Sequence, residues 1–146
     1  MIYFKNDFFQ LEYNKQRALI IQTIFEKSEQ MSTDEYKFMA LKAAESVAFY
    51  KAKCGLADAR KMRFVVHPEI QLWIAEVFFG KIKEVGTFKK LATILPEEEN
   101  APSIEKLSVE QTNEEIQSRH HFFEQAIFKT IEDAMDWLKD DDFSKE

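Results

Sequence analysis

Gly55-Leu56-Ala57-Asp58-Ala59-Arg60, then His67-Pro68-Glu69-Ile70-Gln71-Leu72-Trp73, then Lys89-Lys90-Leu91-Ala92-Thr93-Ile94-Leu95, is the stretch that decides the fold. The outer two pieces contain short apolar runs of strand length, Gly55–Ala59 and Leu91–Leu95. The middle piece reads as a helix start. Pro68 suits the first helical position, where its missing N–H costs nothing, and His67 stands as the cap. Ile70, Trp73, Ile74, Val77 and Phe78 then make an inner helical face. The helix is expected over 68–82, with Gly80 near its end and residues 81–85 able to extend it by a turn. The chain closes with Ile131-Glu132-Asp133-Ala134-Met135-Asp136-Trp137-Leu138, a further helix expected over 131–139 behind a Thr130 cap. Strand, helix, strand, helix is the order of an α/β domain.

Upstream, Ser32-Thr33-Asp34-Glu35 is a capping box that starts a helix over 32–53. Tyr36, Met39, Ala43, Val47 and Tyr50 form its apolar stripe, and Gly55 is the natural stop. Before it, Phe8–Tyr13 and Arg17–Ile24 flank Asn14-Lys15-Gln16, an N-terminal β-hairpin whose turn uses the tolerance of Asn14 for positive φ. Ile2–Lys5 adds an edge strand. Met62–Val66 reads as a linker. Downstream, residues 96–118 hold seven glutamates against Lys106 alone. A helix over Val109–Ser118 would have a thin apolar face, so the segment reads as a solvated, mobile excursion. Phe122–Lys129 supplies a last strand. One domain over residues 1–139 and a frayed acidic tail over 140–146 account for the chain.

A chain of 146 residues, 45% hydrophobic with 14 Phe, can bury one core. With 3 Gly and 3 Pro it is neither loop-rich nor disordered. The net charge of −6 repels phosphate backbones, so no nucleic acid partner is expected. Cys54 is the lone cysteine, which excludes an internal disulfide and reads as an ordinary buried thiol. Met1–Asp7 has no basic region leading into an apolar run, and no run approaches the ~20 residues of a membrane span. A cytoplasmic location is expected.

Hairpin, capped helix, strand with Asp58-Ala59-Arg60, Pro-Glu-Ile-Gln-Leu-Trp helix, Leu-Ala-Thr-Ile-Leu strand and terminal Ala-Met-Asp-Trp-Leu helix together resemble the SpoIIAA-like proteins, which have the STAS-domain fold of anti-anti-sigma factors. The resemblance covers nearly the whole chain except the acidic insert. It implies a mixed sheet of four to six strands with helices largely on one face, and a regulatory or binding role rather than catalysis. Phosphorylation-switched STAS proteins carry a serine in a turn after a central strand. The matching place here is Asp58-Ala59-Arg60-Lys61, which has no hydroxyl. No serine stands between Ser46 and Ser103, and the threonines of that interval, Thr87 and Thr93, lie well downstream.

Asp58 and Arg60 flank Ala59 at the end of the first strand, so alternation sends both to one face. They can grip a polar ligand, neutralise each other, or cap the following helix. His67 at a helix N-terminus can act as a base or anion contact, or simply as a cap. His120 and His121 diverge on either a strand or a helix, and no metal is expected. Trp73, Trp137, Tyr50 and Phe78 can line a pocket, though their spacing also suits a core. Phe78 and Phe79 are consecutive on a helix, so one stripe hardly buries both. Phe8 and Phe9 are consecutive on a strand, so one should face solvent or a second chain. No Gly-rich phosphate loop, nucleophile elbow or His-Glu-x-x-His motif occurs, and no cofactor is expected.

The expected function is a non-enzymatic regulatory domain acting through protein contact, with a homodimer through the hairpin Phe8–Ile24. The alternative is a carrier or sensor of a small apolar, lipid-like ligand between the sheet and helix 68–82. That alternative calls for a pocket of roughly 300–1,000 Å³. An enzyme using Asp58, Arg60 and His67 is the third reading, and needs the three to converge.

Overall fold

The computed structural model describes residues 1–97 and 104–139. Six strands form one mixed sheet in strict chain order: β1 (Ile2–Lys5), β2 (Phe9–Asn14), β3 (Leu19–Ile24), β4 (Cys54–Asp58), β5 (Lys90–Ile94) and β6 (Glu124–Phe128). The first three run antiparallel, and β3 to β6 run parallel. The helices are α1 (Thr33–Tyr50), α2 (Pro68–Trp73), α3 (Phe79–Val85), α4 (Ile104–Arg119) and α5 (Ile131–Lys139). A π-helical turn, Ile74–Phe78, joins α2 to α3 as one rod.

This order explains the layering. A crossover between parallel strands is right-handed. Each crossover here steps one strand in the same direction, so α1, the α2–α3 rod and α4 all fall on one face. There they enclose the larger core, which includes Phe9, Leu11, Ile20, Met39, Phe79 and Ile82. Helix α5 follows β6 and packs on the opposite face, over Leu19, Cys54, Leu56, Ala92 and Ile94. Its last carbonyls are met by cations. Lys90 Nζ donates to the Trp137 carbonyl at 3.0 Å and lies 4.4 Å from that indole centroid, while Arg17 Nη1 donates to the Met135 carbonyl at 3.3 Å. Cations at a helix C-terminus offset its partial negative charge. Trp137 therefore belongs to this closure and not to a pocket.

The local signals act where the sequence places them, with shifts. The Ser32 hydroxyl accepts the Glu35 amide at 3.1 Å and the Glu35 carboxylate accepts the Ser32 amide at 2.9 Å, the complete capping box. The stop is not Gly55. Lys51 takes the left-handed conformation (φ 53°) and ends α1, which leaves Gly55 inside β4. Likewise Gly86 (φ 80°), not Gly80, ends α3. In the hairpin the positive φ falls on Ala18 (50°), while Asn14 acts through its side chain, accepting the Arg17 amide at 3.3 Å. The extended linker Met62–Val66 has no strand partner. Its amides go to serine hydroxyls: Arg63 to Ser28 at 2.9 Å and Val66 to Ser108 at 3.0 Å. That satisfies backbone groups which burial would otherwise penalise.

The π turn resets the inner face of its rod. The Phe79 amide bonds the Ile74 carbonyl, five residues back. The buried series becomes Ile70, Ile74, Phe79 and Ile82, with spacings of +4, +5 and +3. An unbroken α-helix would have continued at +4 to Phe78. So Val77, expected inside, is 39% exposed, and Phe79 rather than Phe78 is fully buried.

The acidic excursion also departs from expectation. Residues 98–103 of it, and the expected tail 140–146, lie outside the described residues. The remainder forms α4, which docks through Ser108, Val109, Thr112, Asn113 and Ile116. The thin apolar face is enough because Val109 and Ile116 reach the core, and Ser108 and Thr112 bond locally, to the Glu105 carbonyl at 2.9 Å and the Ser108 carbonyl at 2.7 Å. Two substitutions test the caps of α1. Ser32→Ala should lower stability to urea by about 1 kcal/mol. Lys51→Gly should raise it by about 0.5–1 kcal/mol, because glycine takes positive φ without steric cost. A Lys51→Gly variant less stable than the parent would rule out the left-handed cap.

Candidate functional site

Strand β4 runs through the middle of the sheet, yet towards the helices it carries Gly55 and Ala57, with Ala59 just beyond its end. No side chain larger than a methyl stands on that line. Over Gly55 the gap is filled by Phe88, and a Cβ there would stand 3.0 Å from the Phe88 ring. Over Ala57 it is not filled. Ala57 is the one residue of β4 that is not buried. Above it lies a cavity of about 130 Å³, bounded by α1, the π turn, α3 and α4. An apolar cavity of ~150 Å³ accepts a benzene ring. The volume falls short of the roughly 300–1,000 Å³ of drug-sized sites.

The walls are mostly apolar: Met39, Ala43 and Val47 from α1, Phe78 and Phe79 from the rod, and Ile116 from α4. Phe78 is the expected pocket residue that lines the cavity. Trp73 does not line it: half-buried, it packs at the margin of the core under Lys37, whose Nζ lies 5.3 Å from the ring centroid. Tyr36, Thr93 and Asn113 were not expected as pocket residues. They also line the cavity, at 8%, 5% and 8% exposure, and Gln22 joins them. Among the described residues no charged side chain lines it.

The π turn and α4 are tied together. The His120 ring nitrogen Nε2 bonds the Ala75 carbonyl, inside the π turn. A carbonyl only accepts, so Nε2 carries the hydrogen. His120, read from sequence as part of a polar turn, thus anchors the end of α4 to the rod. π turns recur at functional sites. His121 has no such role.

Asp58 and Arg60 close on each other. Asp58 Oδ1 accepts from the Arg60 amide (3.2 Å) and Nε (2.9 Å), and Oδ2 accepts from Nη2 at 2.8 Å. This bidentate bond raises the Arg60 pKa, against a smaller opposing effect of burial, with help from the charges of Asp58, Glu97 and Glu132. Asp58 follows Cys54 and Leu56 on the α5 face, so the pair sits across the sheet from the cavity. The His67 side chain is exposed and makes no capping bond; its carbonyl instead accepts from Ile70 and Gln71. These three residues form no common cleft. The parallel strands never reverse their order, so the sheet lacks the switch point at which such clefts open.

The aromatic surplus lies elsewhere than on the hairpin. Phe9 is 1% exposed and Phe8 is half-buried in the bend before β2, so neither presents a face. The bare apolar groups are Phe49 (70%) and Phe38 (43%) on the outer side of α1, beside Met1 and Ile2 of the β1 edge. Tyr3 connects the two, packing 5.6 Å from Phe49 and donating to Glu45 at 2.7 Å. Burial and that carboxylate push the Tyr3 pKa up to about 12. Among the described residues no helix is long and apolar enough to cross a membrane, and no group of His, Cys, Asp and Glu could hold a metal. No family model, curated protein or solved structure matches the chain.

Two predictions test this geometry. Arg60→Ala leaves the buried Asp58 carboxylate without its fork and should cost about 1–3 kcal/mol in urea unfolding; a loss within error would show that solvent replaces the pair. Tyr36 is buried and its pKa is raised by that burial, as is that of Tyr3. Unfolded tyrosine ionises near pH ~10. The stability these hydroxyls contribute is complete below that pH and is lost as pH rises through the folded values. The urea midpoint should therefore fall above pH ~10, less steeply in Tyr36→Phe. Identical alkaline slopes for the two proteins would contradict the burial of Tyr36.

Proposed function

We propose that this chain is a non-enzymatic, cytoplasmic, STAS-like domain that carries or senses a small neutral apolar molecule beneath its helices. The supporting observation is the cavity over Ala57. Protein interiors are packed like organic crystals, and gaps of this size are few. Here the gap follows from three small residues in register on the central strand. Its volume favours a ring-sized ligand over the lipid-like one that the sequence suggested. The mixed sheet, the N-terminal hairpin and the helices largely on one face support the STAS-like assignment. With no hydroxyl at Asp58–Lys61, occupancy of the cavity replaces phosphorylation as the signal.

Protein contact is the second reading, and exposed Phe49 favours it. The two are compatible, because α1 lines the cavity with one side and presents Phe38 and Phe49 on the other. The surface for a partner, including a second copy, is then the α1–β1 face and not Phe8 or Phe9.

Toluene tests the cavity. It should raise the melting temperature of the parent protein. Ala57→Leu should abolish that rise while itself adding stability of about 1 kcal/mol by filling the gap; Ala57→Val covers the case in which leucine is too large. A parent protein indifferent to both toluene and phenol would overturn the ligand reading. For the second reading, light scattering at high concentration should give a dimer mass that Phe38→Ser with Phe49→Ser reduces to a monomer. A dimer insensitive to that change would place the contact elsewhere.

A further inference from the structure

The lining of the cavity is not uniformly apolar. From it we infer the chemistry of the ligand: a single neutral ring bearing one hydrogen-bonding group, of the phenol class, with the ring over Ala57 and the polar group bonded among Tyr36, Thr93, Gln22 and Asn113. The inference rests on the ligand reading above.

Buried polar side chains nearly always have a hydrogen-bond partner. Tyr36, Thr93 and Asn113 are each more than nine-tenths buried, and their side chains have no hydrogen-bond partner among the described residues, so their polar atoms depend on what enters the space they border; the fully enclosed side-chain atom left without a partner is instead Gln125 Oε1, at the neighbouring seam. All three line the one cavity. Gln22, also without a side-chain partner, lines it as well. They come from four elements, which argues against a single misplaced turn. The register is specific. Gln22, Ala57 and Thr93 are aligned partners across β3, β4 and β5. With neighbouring strands ~4.8 Å apart, the two polar residues stand about 10 Å apart on either side of the bare methyl. A ring with one substituent fits that span. The absence of Lys, Arg, Asp and Glu from the lining selects a neutral molecule, since an unpaired charge is strongly penalised in such a site.

Asn113 also borders a more polar depression of about 240 Å³ on the α4–β6 seam, where Glu110, Glu114 and Gln125 stand. There the Gln125 amide Nε2 donates to the Asn113 carbonyl at 2.7 Å.

Phenol and toluene are nearly the same shape and differ in the hydroxyl, so titration calorimetry of the full chain with each isolates the polar term. Phenol should bind more tightly, by about 2- to 10-fold, the range of one net hydrogen bond. Thr93→Val with Tyr36→Phe, which remove two hydroxyls with little change of shape, should reverse the order and leave toluene affinity within about twofold. If the double variant fails to fold, each single variant should narrow the phenol preference. Toluene binding as tightly as phenol in the parent would overturn this inference and leave the ligand reading standing. So would a phenol preference that survives both substitutions. If neither probe binds, both fall together.

Discussion

Everything on the helical side of this domain depends on the absence of side chains along one line of β4. A central strand of a parallel sheet is normally read as a continuous run of large apolar residues, because both faces are covered. Here the α5 face follows that rule with Cys54 and Leu56, while the other face carries Gly55, Ala57 and Ala59. Helices cannot descend into a groove one strand wide without clashing with the larger residues on β3 and β5, such as Ile20, Ile24 and Leu91. The layer therefore stands off, and only Phe88 reaches down to fill part of the space. The cavity is the remainder.

The π turn is the second consequence of the same constraint. A regular helix from Pro68 to Val85 would turn Phe78 straight inward. The inserted residue instead sends Phe79 into the core and leaves Phe78 at the cavity wall, half-buried. It also changes the backbone bonding of the rod, and the His120 ring meets the Ala75 carbonyl within it. The rod, the end of α4 and the cavity are thus coupled through one short segment. Helix α4 itself borders both the cavity and the seam.

Sequence signals located the strands and helices α1, α2 and α5 because they are local. The capping box of Ser32, Pro68 at a helix start, Thr130 before α5 and the apolar runs of β4 and β5 act through bonds within a few residues. The Thr130 hydroxyl, for example, accepts the Asp133 amide at 3.2 Å. What could not be read was anything decided by a long-range partner. Lys51 rather than Gly55 ends α1 because β4 needs Gly55 for its packing against Phe88. Helix α4 looked too polar to dock, since the groups that receive it, Val66, Gln71 and the core under Val109, are distant in sequence. The site itself was half legible. The small residues Gly55, Ala57 and Ala59 were in view, as was Phe78, but Thr93 and Tyr36 read as ordinary strand and helix positions. Only the register that sets Thr93 beside Ala57 makes them neighbours.

The cavity bears on stability as well as binding. Large-to-small changes in cores lose about 24 cal/mol for each Å³ of space left, so a gap near 130 Å³ corresponds to about 3 kcal/mol. Domains of this size hold about 5–15 kcal/mol in all. The loss would be relieved by one larger residue at position 57, a change of a kind that commonly adds stability without altering a fold. Packing alone gives no reason to place Ala57, Thr93 and Tyr36 around a common gap. A bound ring bearing a hydrogen-bonding group supplies both missing terms at once, apolar contact over the methyl and a partner for the buried polar groups. Its binding free energy adds directly to the stability of the folded chain.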